Sequence, residues 1–384
     1  MPTTPLKNAV YKSLLPFLAP GCGHNPVTEM TGHPVSYPNQ YIRLLHRHHV
    51  LGSAALIGNA EQQALLFSKS DNPSHKAGLN TCFRVASITK LATAVLTLKL
   101  IDLQYLNPDL NLSYLFTTAS EKKALDGITI RQLLSHTSGI IDPPFLEAYM
   151  TSGKPFDSFL PECRKYKPGD SFHYSNLGFG LIGCILEKIL GMTVTGIFRD
   201  YLFSILEMNA TLEGCSLNPE QIMPVTRILP YHKNTDIIVT ELGSVPVADV
   251  NPLCHYGYTA GSMYTDILSL YKLLCVIKDN ENSFLSRKSL SDMKMIHAYY
   301  GSLSPTLSYG LGLLIIKDPN LSAGTIYGHQ GFAYGCADGA FWEDSTGNVM
   351  ILLNGGCSEA RYGRLGCANY DFLRWAFRKE IPSW

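Results

Sequence analysis

Three groups of side chains in this 384-residue chain have the types and spacing of a nucleophile and its helpers. The first is Ser87-Ile88-Thr89-Lys90. A serine three residues before a lysine on one helix face has an amine within hydrogen-bond reach, and such a pair is an activated nucleophile. A helix N-terminus beside the hydroxyl adds partial positive charge and unpaired N–H groups. The second is Tyr174-Ser175-Asn176, where alternation along an extended segment puts the phenol and the amide on one side. A buried phenol relays a proton only where positive neighbours favour its ionised form. The third is His329-Gln330-Gly331. There the imidazole can hold a cation or a hydrogen-bond donor, while the glycine lets a substrate backbone approach.

Each group is cheap alone. A chain of this length holds roughly one or two Ser-x-x-Lys matches by chance, and Ser120-Glu121-Lys122-Lys123 and Ser291-Asp292-Met293-Lys294 match too. Both lie in charged sequence, where a lysine is hard to desolvate; only the Ser87 copy opens an apolar helix. The blander alternative makes Ser87 an N-cap and Lys90 a solvated first-turn lysine. Tyr37-Pro38-Asn39 and Tyr105-Leu106-Asn107 also match Tyr-x-Asn, and His255-Tyr256-Gly257 matches the third group in loop-like sequence. For Tyr174 and Asn176 the alternative is a core tyrosine and a capping asparagine. For His329 it is a strand-end histidine before a turn glycine. His136, followed by Thr-Ser-Gly, reads as a ring packed at a helix C-terminus against loop carbonyls, forming the wall of a cleft. His46-Arg47-His48-His49 reads as a solvated helix end, because no carboxylate or cysteine completes a metal site.

The elements that must hold these groups follow from periodicity. Residues 1–36, rich in proline, read as an irregular arm with a short helix near 9–15. A helix is expected over 39–49, then a β-hairpin from 52–58 and 64–67. From Thr89 onward alanines, leucines and a lysine without glycine or proline give a buried helix about three turns long. Helical periodicity dominates 91–255, including 128–139, with Thr129 as cap and Gly139 as stop, and 178–190 after the Pro168-Gly169 turn. A small-residue turn over 259–266 precedes a helix at 267–277. Strands return at 309–316, 324–327, 335–342 and 348–353, spaced as an antiparallel sheet, with a covering helix at 367–378. The organisation expected is an arm (1–36), an α/β sheet domain (37–90 and 256–384) and an inserted helical domain (91–255).

Composition narrows the partners. With 31 basic and 31 acidic residues the chain has formal net charge zero, so no long-range field attracts nucleic acid or an anionic membrane. No apolar run has the length of a membrane span. The N-terminus lacks a basic stretch followed by an apolar one, so a cytoplasmic protein is expected, or a periplasmic or secreted one if a leader has been removed. Ten cysteines include no Cys-x-x-Cys pair, and most sit in apolar sequence as reduced thiols. No metal or other cofactor is expected. Oligomeric state is left open.

In order, Ser87-x-x-Lys90, Tyr174-x-Asn176 and His329-x-Gly331 resemble the serine β-lactamase and penicillin-binding-protein superfamily, in its class C-like branch. That branch includes class C β-lactamases, D-Ala-D-Ala carboxypeptidases, D-aminopeptidases and esterases. The segment Leu133-Leu134-Ser135-His136-Thr137-Ser138-Gly139, Ala260-Gly261-Ser262-Met263-Tyr264 and Tyr309-Gly310-Leu311-Gly312 fit as well, and the resemblance runs from about residue 40 to the end. It implies an α/β (α+β) fold of the β-lactamase/transpeptidase type, an antiparallel sheet flanked by helices with an all-helical insertion and the site between. It implies a serine hydrolase in which Ser87 is acylated by an ester, amide or peptide and Lys90 and Tyr174 share the proton transfers. Asn176 would orient substrate and Lys90, and the N–H groups of Ser87 and Phe332 would form the oxyanion hole. Acyl transfer on the same fold, or a non-catalytic binding or assembly role, are the alternatives. Most β-lactamases carry Lys-Thr-Gly where this chain has His329-Gln330-Gly331. A histidine, cationic only part of the time near neutrality, points away from efficient β-lactam hydrolysis.

Overall fold

The computed structural model describes residues 27–31, 37–59, 61, 63–69, 76–144, 146, 153–226, 255–301, 304–333 and 335–378. The helix expected near 9–15 and residues 227–254 of the stretch expected to be helical lie outside them. Nine strands build one antiparallel sheet: β1 (Val27–Thr31), β2 (Ser53–Gly58), β3 (Gln63–Ser68), β4 (Ala298–Tyr299), β5 (Leu307–Tyr309), β6 (Leu314–Ile316), β7 (Ile326–Ala333), β8 (Cys336–Glu343) and β9 (Val349–Asn354). Their order across the sheet is β1-β3-β2-β9-β8-β7-β6-β5-β4. The two ends of the chain therefore meet in its middle, with Leu56 of β2 opposite Ile351 of β9.

Both faces of this sheet are covered, and the period-two pleat sorts neighbouring residues between two cores. Leu56, Ala340, Trp342 and Ile351 enter one core; Ile57, Phe341, Met350 and Leu352 enter the other. Helices α1 (Tyr37–His48) and α5 (Cys367–Arg378) close the second core through Tyr41, Leu44, Phe372 and Trp375. Helices α2 (Thr89–Asp102), α3 (Asn176–Leu190) and α4 (Ile267–Asp279) fill the first. Each fully buried leucine, isoleucine or phenylalanine here is worth about 1.5–3 kcal/mol relative to exposure. Helix α2 is apolar on every side and is buried on every side from Thr89 to Leu98, as expected for a central helix. The fold is thus α/β, an antiparallel sheet with helices on both faces.

Several details depart from the expectations. Val27–Thr31, inside the stretch read as an irregular arm, pairs with β3 as an edge strand. The strand expected over 309–316 is a hairpin, because Gly312 takes φ +66° and turns the chain between β5 and β6. A Cβ at Gly312 would lie 2.3 Å from Ala94 Cβ and 3.0 Å from the Lys90 carbonyl, so the turn presses on α2. The helix expected over 128–139 spans only Ile130–Leu134, with Thr129 and Gln132 as a capping box; His136 at φ +57° ends it. In the His46–His49 cluster His46 is exposed as expected of a solvated end, but His48 is buried and pairs with Asp371 at 2.9 Å. Among the described residues, no group of three or more potential ligands could hold a metal ion. Cys82, Cys163, Cys275 and Cys336 are buried thiols. Among the described residues no single helix is long and apolar enough to cross a membrane.

Candidate active site

Ser87 lies in a 3₁₀ turn, Ala86–Ile88, that runs directly into α2. It caps nothing, since no side chain caps the start of that helix. Ala86 takes φ +46°, a left-handed conformation that costs an L-residue roughly 1–2 kcal/mol. The turn is held in that shape from several sides. Ile88 N–H donates to the Val85 carbonyl at 3.1 Å, and Val85 N–H to Met263 at 3.0 Å. Thr89 Oγ1 donates to the Ala86 carbonyl at 2.6 Å and accepts from Met263 N–H at 3.0 Å. Gly331 of β7 lies against the same turn. A Cβ there would come within 2.2 Å of the Val85 carbonyl oxygen, so only glycine permits this approach.

Lys90, one turn into α2, is fully buried. Its Nζ lies 3.1 Å from Ser87 Oγ, 2.7 Å from Asn176 Oδ1 and 2.7 Å from the Ala260 carbonyl. Burial pulls its pKa down to about 7, and the charge of Asp142 works in the opposite direction. A neutral amine has two N–H donors and one unshared pair. With Asn176 Oδ1 and the Ala260 carbonyl taking the two donors, the pair faces Ser87 Oγ. That is the arrangement of a general base. Tyr174 completes the cluster, its hydroxyl donating to Ser87 Oγ at 2.9 Å. Its ring lies beneath Nζ at 5.0 Å, with Phe179 at 5.6 Å. The condition for an ionised phenol is not met: burial raises the Tyr174 pKa and outweighs the charge of Arg361. Tyr174 is therefore a neutral proton donor.

His329 departs from its expected role. It is buried, and burial, helped by the charge of Lys90, pushes its pKa down to about 3. Nδ1 lies 2.7 Å from the Gln330 carbonyl, so Nδ1 carries the proton and Nε2 accepts from the Tyr309 hydroxyl at 2.8 Å. The ring is neither a cation nor a free donor. It also sits in mid-strand, since β7 runs on to Ala333. His136 is likewise buried and neutral, its pKa lowered well below the usual range by burial. Its Nδ1 accepts from Ser175 N–H at 3.1 Å in place of the loop carbonyls expected, and its ring packs 4.3 Å from that of Tyr174. Phe332 adjoins the Ser87 turn through Gly331, and its ring lies 4.1 Å under the Arg361 guanidinium. Gln330 Nε2 donates to the Arg364 carbonyl at 2.7 Å and its Oε1 accepts from Gly366 N–H at 3.0 Å, both in a small hairpin over residues 361–366.

Ser87, Lys90, Tyr174 and Asn176 are thus hydrogen-bonded together, with Gly331 against the turn and His329 behind Lys90. The competing motif matches lie elsewhere. Ser120 and Ser291 are exposed, and His255 is buried against Glu187 at 2.8 Å. One polar residue escaped the sequence reading. Asp142 accepts from Asn176 Nδ2 at 2.9 Å, Ser175 Oγ at 3.0 Å and Leu177 N–H at 2.9 Å. It lies 34 residues before Asn176, ahead of two prolines, and reads locally as a loop acid.

Sheet, central helix and Ser-Lys-Tyr cluster define a β-lactamase/transpeptidase-like fold. A family model described as Beta-lactamase matches residues 39–354, and the protein belongs to that family. The chain is 27% identical over 287 residues to the fimbrial assembly protein FimD (serogroup D) of Dichelobacter nodosus, covering 72% of this chain and 66% of that one. It is 24% identical over 220 residues to Penicillin-binding protein 4* of Bacillus subtilis, covering 53% of this chain and 46% of that one. The chain therefore spans about half to just under two thirds of the length of these relatives. Among solved structures, the D-amino acid amidase of Ochrobactrum anthropi SV3 superposes with a TM-score of 0.65 at 21% identity, over 85% of this chain and 92% of that one. That likeness is one of fold.

Proposed function

We propose that the protein is a serine hydrolase that forms an acyl-enzyme at Ser87 and cleaves an ester or amide of a small or D-configured substrate. The observation that carries this reading is the buried Lys90 amine, close to losing its proton at neutral pH, 3.1 Å from Ser87 Oγ. In the reaction Ser87 Oγ attacks the substrate carbonyl as its proton passes to Lys90 Nζ. The new C–O bond pushes the carbonyl π pair onto oxygen. The N–H groups of Ser87 and Phe332 are assigned to that oxyanion, each donor of this kind being worth about 3–4 kcal/mol. On collapse the bond to the leaving alcohol or amine breaks, and Lys90 and Tyr174 between them return the proton to the leaving atom. Water then attacks the acyl-enzyme with Lys90 again as base, releasing the acid. Asn176 orients Lys90 and the substrate. The cleft between a sheet domain (37–90 and 256–384) and a helical domain (91–255) belongs to this reading.

The name of the amidase that shares the fold supports D-amino acid amides as substrates to test. Neutral His329 offers no fixed cation for a carboxylate, which favours slow β-lactam turnover. The test is intact-mass analysis after exposure to a fluorophosphonate or penicillin probe, with Ser87→Ala as control. A single adduct on the wild type, absent from the variant, is expected; a folded wild type that reacts with neither probe counts heavily against the reading. A screen of p-nitrophenyl esters, D-amino-acid amides and nitrocefin then separates the substrates, and added alcohol or amine acceptors reveal acyl transfer. The likeness to a fimbrial assembly protein favours, as the second reading, a non-catalytic role in assembly. An unchanged phenotype in Ser87→Ala would support it.

A further inference from the structure

We propose that Asp142 is a positioning residue of this site: its carboxylate fixes which way round the Asn176 amide lies and so aims the Lys90 amine at Ser87. The inference rests on the acyl-enzyme reading above. Asp142 hydrogen-bonds to neither Ser87 nor Lys90. Its action runs through Asn176. A carboxylate only accepts, so the atom of Asn176 that faces Asp142 Oδ2 at 2.9 Å must be the Nδ2 donor. That leaves Oδ1 on the other side, where it accepts from Lys90 Nζ at 2.7 Å. With the amide reversed, its NH₂ would face Lys90 and take the unshared pair of the neutral amine, the pair that Ser87 needs.

Asp142 is itself anchored. Its Oδ1 accepts from Leu177 N–H and from Ser175 Oγ, and that hydroxyl in turn accepts from Gly178 N–H at 3.0 Å. Helix α3 has no acidic residue in its own first turn; Asp142 supplies from a distant loop the negative charge that a helix N-terminus favours. The titratable groups facing Lys90 are Tyr174, His136, His329 and Asp142. Burial keeps the phenol and both imidazoles neutral. Asp142 is the anion among them, and its charge supports the protonated form of Lys90.

Asp142→Asn removes that charge and the one-way constraint on the amide while keeping the size. Fluorophosphonate labelling of Ser87, followed by intact mass from pH 5 to 9, is expected to slow about 10²-fold, with the midpoint of its rise moved to lower pH. Turnover of any accepted ester should lose kcat with KM little changed. In an Asn176→Ala background the same substitution should cost little more, because the route it acts through is already gone. An unchanged rate, or a slower rate with an unmoved midpoint, overturns the assignment. If Asp142→Asn does not fold by circular dichroism, Asp142→Glu carries the test. It keeps charge and acceptors, so labelling within tenfold of wild type at an unmoved midpoint supports the assignment, and labelling as slow as in Asn176→Ala overturns it. A wild type that never labels at Ser87 removes the acyl-enzyme reading and this inference together. A wild type that labels beside an indifferent Asp142→Asn removes only the latter.

Discussion

Replacing Lys90 by methionine should make the protein more stable in acid than in base, relative to wild type. Unfolded, the lysine keeps its proton up to its ordinary 10.5; folded, burial brings that value down to about 7. Between the two, the unfolded chain holds more protons, so wild-type stability rises with pH. The penalty for burying this amine is full below about pH 7 and gone above about 10.5. From those values it is roughly 4–5 kcal/mol at pH 6 and roughly 2 at pH 9, a difference of about 2–3 kcal/mol. Methionine carries no such linkage. It also leaves Asn176 Oδ1 and the Ala260 carbonyl without Nζ, at about 1–3 kcal/mol each, but that loss is the same at every pH and cancels. Urea unfolding of both proteins at pH 6, 7.5 and 9 measures the gap. The advantage of Lys90→Met should shrink by about 2–3 kcal/mol across the series. A gap constant to within about 0.5 kcal/mol would mean that Lys90 is not held near neutrality, and the general-base assignment would fall with it.

Tyr174→Phe removes the hydroxyl that donates to Ser87 Oγ and should slow acylation about 10²- to 10³-fold; labelling within fivefold of wild type would remove Tyr174 from the proton path. Gly331→Ala places a methyl 2.2 Å from the Val85 carbonyl, so it should destabilise by about 1–3 kcal/mol and displace Ser87, seen together in melting temperature and labelling rate. A silent Gly331→Ala would show that the turn tolerates movement. Tyr309→Phe deprives buried His329 Nε2 of its donor and should lower stability by about 1–3 kcal/mol, with activity changed only a few-fold; the reverse pattern would give His329 a direct part in catalysis.

Strong local signals made much of this legible. The uninterrupted apolar sequence after Thr89 announced a buried helix, although whether Lys90 was buried with it was left open and the helix runs to Asp102, beyond the three turns expected. Helix α5 was expected with its observed bounds, because Cys367–Arg378 carries a clear apolar stripe. The β5–β6 hairpin was not legible as such. Tyr309–Ile316 reads as one strand in spite of Gly310 and Gly312, and the positive φ of Gly312, packed against α2, is what turns the chain there. At the site, the partners that a motif names were legible and the state of their protons was not. His329 in sequence is a residue of intermediate charge; its neutrality follows from burial and from the charge of Lys90, on a helix far from it in sequence. Asp142 lies at a pairing distance that no local window spans.

The place of β9 between β2 and β8 also sets an order on how the protein is made. Ser87, Lys90, Asp142, Tyr174 and Asn176 have all left the ribosome long before the strand Val349–Asn354 exists. Until that strand arrives, β2 lacks one neighbour and β8 lacks its partner along Gly339–Trp342. The join between Leu56 and Ile351 closes a separation of 295 residues, a contact that is slow to form and gains nothing until it is made. A nascent chain stopped before Val349 thus carries Ser87 and Lys90 without the completed sheet that presses Gly331 against their turn. On the acyl-enzyme reading proposed above, Ser87 gains its full setting only once a strand that begins 262 residues after it has been made.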